Sequence, residues 1–220
     1  MVEGEKVCDI GCDHAFVPIY LIQSNRSKKV IAMDVKKGPV DIARNHVNEY
    51  GLSGYIEVRQ SDGFEALGDN EADCAVIAGM GGQLMVDILK RGINHTKAGI
   101  RLVLQPQSEI EKVRQYLGDI GYCIVREEML VEEDKFYTII RAERSEDMKE
   151  NMSSEGILYG DYLLQHKNQI LKSFLELQYT KNCSLIDSLS QKKTLRSDER
   201  INEIKSNNKN LLNIIKKYWG

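Results

Sequence analysis

The residues with most chemistry to offer stand just past short apolar runs. Asp9-Ile10-Gly11-Cys12-Asp13-His14-Ala15 closes the first such run, placing two carboxylates and an imidazole around a tight turn in which Gly11 lets a ligand approach the backbone. A dinucleotide-binding turn would read G-x-G-x-x-G, and here Asp13 and Ala15 occupy the places of later glycines. Such a turn receives an anion poorly. It suits a cationic ligand, such as the sulfonium and amino groups of S-adenosylmethionine (SAM), because nearby carboxylates stabilise positive charge.

Asp34 ends the second apolar run, where an acid can accept both hydroxyls of a ribose. Ser61-Asp62-Gly63 follows the third run and puts another carboxylate where class I methyltransferases hold the adenine amino group. Taken singly, Asp34 and Asp62 read as turn or helix caps. Acids at the ends of three successive runs favour a site. The fourth run ends in Ala78-Gly79-Met80-Gly81-Gly82, and so many glycines cost conformational entropy unless a sharp turn or a close neighbour needs them. A flat acceptor lying against bare backbone, with Met80 as an apolar wall, would use them. The Asp/Asn-Pro-Pro-aromatic string common among enzymes that methylate exocyclic amines is missing here. His14 is placed either to touch a ligand or to cap the helix that begins near Pro18.

These tips need a scaffold. Val7–Ile10, Val30–Met33, Ile56–Val58, Ala75–Ala78, Leu102–Leu104, Ile124–Val125 and Phe136–Ile140 read as strands, with helical spacing over Pro18–Gln23, Gly38–Tyr50, Gln83–Arg91 and Ile110–Gly118. The alternation predicts an α/β fold with a parallel sheet covered on both faces. Glu127–Lys135 is too short for a crossover helix, so the last two strands form an antiparallel hairpin at the edge. After a polar stretch at Ser145–Glu155, the spacing of Leu164, Leu171, Leu175, Leu185 and Leu189, and of Ile201, Ile204, Leu211, Ile215 and Tyr218, predicts two long helices. They turn near Lys192–Ser197 into an antiparallel coiled coil whose polar positions, Asn168, Gln178, Asn182 and Asn208, set register rather than add stability.

At 220 residues the chain holds one substantial core and an appended element, and 42% hydrophobic with 29% charged residues excludes fibrous and disordered classes. The net charge of -3 is uneven: residues 151–220 carry 11 basic and 7 acidic side chains, a +4 tail beside a -7 body, as an enzyme gripping a polyanion could use. No run is long and apolar enough to span a membrane, and the start lacks a signal-peptide pattern, which reads as cytoplasmic. The 5 cysteines are odd in number and irregular in spacing, neither a disulfide framework nor a metal site, so they read as reduced core residues.

The strings VCDIGCDHAFVPIYL, IAMDVKKGPVDIARNHVNEYGL, VRQSDGF, AVIAGMGGQLMVDIL, LVLQPQ and FYTIIRAE, together with YGDYLLQHKNQIL, resemble the bacterial tRNA methyltransferases that modify N1 of adenine 22. The resemblance implies a Rossmann-like seven-stranded class I methyltransferase domain over residues 1–148 and a C-terminal coiled-coil arm for tRNA over residues 149–220. It implies SAM as cofactor, tRNA as partner and no metal; the oligomeric state is left open by the sequence, with a monomer favoured. Cofactor contacts then fall on Asp9, Gly11, Asp13, His14, Asp34, Ser61, Asp62, Gly63, Ala78 and Gly79. Gly79, Met80 and Gly81 line the acceptor pocket, with Asp13 and His14 near the transferred methyl. Two departures stand out: Phe16 replaces a frequent tyrosine, and only about six residues precede the first strand, where the family usually has a short basic helix. Two other readings fit the residues, a small-molecule methyltransferase and a non-catalytic RNA-binding module. A nicotinamide oxidoreductase fits least, for want of the glycine-rich turn and a Tyr-x-x-x-Lys pair.

Overall fold

The computed structural model describes residues 1–2, 4–145, 152–191 and 194–220. Seven strands, β1 (Lys6–Ile10), β2 (Lys29–Asp34), β3 (Ile56–Gln60), β4 (Cys74–Gly81), β5 (Arg101–Ser108), β6 (Tyr122–Glu132) and β7 (Lys135–Arg144), form one sheet in the order β3-β2-β1-β4-β5-β7-β6. The first five are parallel, and β7 runs antiparallel to both β5 and β6. Helices α1 (Phe16–Gln23), α2 (Lys37–Glu49), α3 (Gly82–Arg91), α4 (Ile93–Lys97) and α5 (Ile110–Asp119) connect the strands. The C-terminal part adds α6 (Ser154–Tyr159), α7 (Asp161–Gln165), α8 (Gln169–Ser190) and α9 (Leu195–Trp219).

Side chains alternate across the sheet and build a core on each face. Cys8, Ile10, Ile31, Met33, Ala75 and Ile77 pack on one side with Met85 and Leu89 of α3. Val7, Val30, Ala32 and Val76 pack on the other with Ile19 of α1 and with Ala43 and Val47 of α2. Asp9 falls in the second stripe, a carboxylate in an otherwise apolar row. The winding reverses between β1 and β4, which opens a crevice beyond their carboxyl ends.

The closing hairpin is longer than its apolar cores predict. Its ladder runs from Tyr122↔Arg144 to Glu132↔Lys135, because main-chain bonds continue through charged pairs that periodicity alone does not mark. Glu133 and Asp134 both take positive φ, 47° and 60°, the conformation a two-residue hairpin turn requires. Met129 and Phe136, on this extension, pack against Leu163, Leu164, Leu171 and Leu175, so the hairpin belongs to the sheet and to the third core at once.

α8 and α9 form the expected helical hairpin, with two corrections. The first long helix begins at Gln169, because Lys167 adopts φ 50° and Asn168 caps it by accepting from the N–H groups of Ile170 (3.0 Å) and Leu171 (2.9 Å). Leu164 therefore sits on the separate α7, and Asn168 is a cap rather than a seam residue. Along the seam Leu185 is exposed, and Ile214 rather than Ile215 is buried. The buried Asn208 accepts from Asn182 at 2.8 Å and donates to Cys183 Sγ at 3.5 Å, so an amide pair fixes the register. Thr194 and Ser197 form a capping box at the start of α9, and residues 192–193 of the expected turn lie outside the described residues.

A buried ion pair ties the C-terminal helices to the sheet. Arg114 of α5 donates from Nε to Glu127 of β6 (2.8 Å) and from Nη1 to the carbonyls of Ile157 (3.1 Å) and Leu158 (2.9 Å) in α6. The two side chains are only 2% and 1% exposed. Burial pushes the Glu127 carboxyl up in spite of Arg114 beside it, and its Oε2 has no partner among the described residues. The expected domain boundary at residue 148 lies outside the described residues. Among the described residues no helix is long and apolar enough to cross a membrane, and no cluster of three or more His, Cys, Asp or Glu is arranged to hold a metal.

Candidate active site

The turn after β1 is built from positive φ angles: Gly11 at 78°, Asp13 at 47° and Ala15 at 61°. Only the first is glycine, so this turn is strained and must be held from outside. Four hydrogen bonds hold it. The N–H groups of Gly11 and Cys12 donate to the Met33 carbonyl (2.8 and 2.9 Å), and Asp13 N–H donates to Asp34 Oδ2 at 3.2 Å. From α2, His46 Nδ1 lies 3.0 Å from the His14 carbonyl oxygen, while its ring packs edge-on against His14 and at 5.3 Å from Phe16. No motif marked His46, and its ring contacts set it beside His14 and the 60% exposed Phe16, which stands in place of the family's frequent tyrosine.

Acidic groups converge under this turn. Asp9 is 4% exposed, and burial, with Asp34 nearby, pushes its carboxyl up to about 7. Asp34 also accepts from Lys36 N–H at 3.0 Å, so it acts as a local cap while facing the crevice end of β2. Asp13 lies 3.6 Å from His14 Nε2. A buried carboxyl whose ionised form is penalised by burial and by a neighbouring carboxylate gains from a cation placed beside it, which is the demand a sulfonium cofactor fits.

The other expected residues lie along the same edge. Ser61 donates to the Gly63 carbonyl (2.9 Å) and accepts from Ala66 N–H (3.0 Å), so its hydroxyl shapes the turn that presents Asp62. Asp62 itself accepts from Arg91 of α3 at 2.9 Å. Gly63 has φ 61°, and a Cβ there would stand 3.2 Å from Ile88. β4 does not stop at Ala78 but continues through a bulged register to Gly81, which pairs with Ser108. Gly79 takes φ 75° at this bulge, and its N–H donates to Gln105 Oε1 at 2.9 Å, a partner on β5 that sequence spacing did not reveal. Gly82 is explained by close approach, since a Cβ there would fall 2.5 Å from the carbonyl oxygens of Ser108 and Glu109. Met80 reaches across the crevice until its methyl abuts Gly11, joining the glycine segment of β4 to the acidic turn of β1.

A sheet that reverses between β1 and β4, an antiparallel closing hairpin, and a cation-seeking acidic turn at the first strand tip together define a class I SAM-dependent methyltransferase. Comparison with known proteins narrows the class. The family model for tRNA (adenine(22)-N(1))-methyltransferase matches residues 7–210, and the chain belongs to that family. The Bacillus subtilis (strain 168) tRNA (adenine(22)-N(1))-methyltransferase is 36% identical over 193 residues, covering 86% of this chain and 80% of that protein. The crystal structure of the B. subtilis m1A22 tRNA methyltransferase superposes with a TM-score of 0.81 at 30% identity, over 97% of this chain and 93% of that one. A Streptococcus pneumoniae relative solved in complex with S-adenosyl-L-methionine gives 0.77 at 30% identity, over 93% and 92%.

Proposed function

We propose that the protein methylates N1 of adenine 22 in tRNA with SAM as donor, acting as a monomer in the cytoplasm, with a SAM-binding body over residues 1–148 and a tRNA-binding arm over 149–220. The observation that carries this reading is the apposition of Asp9, Asp13 and Asp34 to the Gly79-Met80-Gly81 segment across one crevice. Asp9, Gly11, Asp13, His14 and Asp34 hold the cofactor, with Ser61–Gly63 and Ala78–Gly79 bounding it. When bound, SAM supplies an electrophilic methyl on a sulfonium. Neutral adenine has an in-plane lone pair at N1, so no base need deprotonate it, and positive charge passes from sulfur to the ring. The protein's part is alignment and electrostatic tolerance of that charge, which together supply about 7 to 11 kcal/mol when geometry is good. Asp13 and His14 provide the polar environment, and Gly79, Met80 and Gly81 leave room for the base. Because N1 lies on the pairing edge, the adenine must leave its pair before it reaches them.

Incubation with SAM and tRNA that lacks the mark should yield N1-methyladenosine by nucleoside mass spectrometry, mapped to position 22; tRNA recovered without it would end this reading. A second expectation concerns pH. An acid whose pKa rises from an ordinary 3.8 to about 7 on folding stabilises the cofactor-free fold fully below 3.8, and that contribution fades as pH climbs through about 7. A cation beside Asp9 reverses this preference. SAM affinity should therefore rise by about tenfold per pH unit from pH 5 toward 7 and then level, with about one proton released. Calorimetry in buffers of different ionisation enthalpy measures both. Asp9→Asn should flatten the profile, and a wild-type affinity indifferent to pH would remove Asp9 from the cofactor site.

A further inference from the structure

Away from the crevice, α6, α8 and α9 enclose a trough of about 740 Å³. Its polar lining consists chiefly of the carboxamides of Gln178, Asn182, Asn207, Asn210 and Asn213 and the ammonium of Lys181. Among the described residues one carboxylate borders it, Glu155, and that group is already engaged by Lys217 Nζ (2.7 Å) and the Tyr218 hydroxyl (3.0 Å). A second hollow of about 410 Å³ shares Leu158, Tyr159 and Gln178 with the first and continues past Phe174 and Phe136 to Ser108 and Glu109. Those two residues are the ones whose carbonyls press on Gly82, at the end of the glycine segment. The two hollows thus lie against the same residues of α6 and α8, one toward the helical hairpin and the other toward the end of β5.

The asparagines call for an explanation. Asn is a poor helix former, yet α9 carries Asn207, Asn208, Asn210 and Asn213 within seven positions. Asn208 serves the register pair with Asn182, whereas Asn207, Asn210 and Asn213 are solvent-facing and line the trough. Spaced at i, i+3 and i+6, they share one side of the helix. Uncharged amides that both donate and accept, beside a lysine and with the one acid neutralised, match base edges, ribose hydroxyls and phosphate.

We propose that this trough seats a strand of the tRNA and reads it through the carboxamides, while Lys181 meets its phosphates; the inference rests on the tRNA reading above and assigns the surface that serves it. The test compares tRNA binding by wild type, Asn207→Ala/Asn210→Ala/Asn213→Ala, the single variants Asn210→Ala and Asn213→Ala, and Lys181→Ala, across salt concentrations. Alanine raises helix propensity at these exposed positions, so helicity and SAM affinity should hold. The triple variant should bind tRNA at least about tenfold more weakly with an unchanged salt slope, each single about fivefold more weakly, and Lys181→Ala should lower the slope by about one. Wild-type binding to tRNA that the triple and single variants match would overturn the trough assignment and leave the proposed activity standing. Wild-type protein that neither binds nor methylates tRNA would overturn both. Undiminished tRNA binding joined to capture of a protein partner sensitive to the triple variant would also overturn the assignment, and would give the trough to that partner.

Discussion

Gly11→Val should cost at least a hundredfold in SAM affinity, which equilibrium dialysis with labelled SAM would read as no binding at ordinary concentrations. Two effects act together. At φ 78° a β-branched residue pays about 1 to 3 kcal/mol of backbone strain, in a segment already carrying positive φ at Asp13 and Ala15. The new side chain also enters the space held by the Met80 methyl, which must swing aside and gives up its place against the turn. Gly11→Ala meets the same φ and a smaller obstruction, so it should fall between valine and wild type. Circular dichroism separates local loss from unfolding. Affinity retained by a folded valine variant would place the cofactor elsewhere.

The second large effect is on stability. Arg114→Met should lower the unfolding free energy by about 3 to 5 kcal/mol in urea titration, because Glu127 would be left buried without its partner and the Ile157 and Leu158 carbonyls without their donor. Arg114→Met/Glu127→Met should recover much of that loss, since the expense lies in the orphaned charge rather than in the absence of a pair. The deficit should also depend on pH. The Glu127 carboxyl is already raised by burial, and losing Arg114 raises it further, so the single variant is least impaired in acid and worsens as pH rises. A deficit under about 1 kcal/mol would mean the pair contributes little to holding the C-terminal helices.

How much of this was legible from the sequence depends on what each residue does. The inner parallel strands could be read because strands buried on both faces appear as near-continuous apolar runs, as in Val30–Met33 and Leu102–Leu104. The carboxylates Asp9, Asp13 and Asp34 could be read because they interrupt or end such runs. The full length of the hairpin could not, since its outer half is held by a ladder and by packing from distant helices. His46 and Gln105 escaped because each acts through a main-chain group, on His14 and Gly79 respectively, and such bonds leave no periodic trace. Leu164 looked like seam because leucine spacing persists across the break at Lys167, which only a backbone angle discloses.

Arg114 has one more consequence. By gripping strand β6 and the carbonyls of Ile157 and Leu158 together, it staples the first helix of the C-terminal part to the sheet, so that parting the two would first have to break these buried bonds.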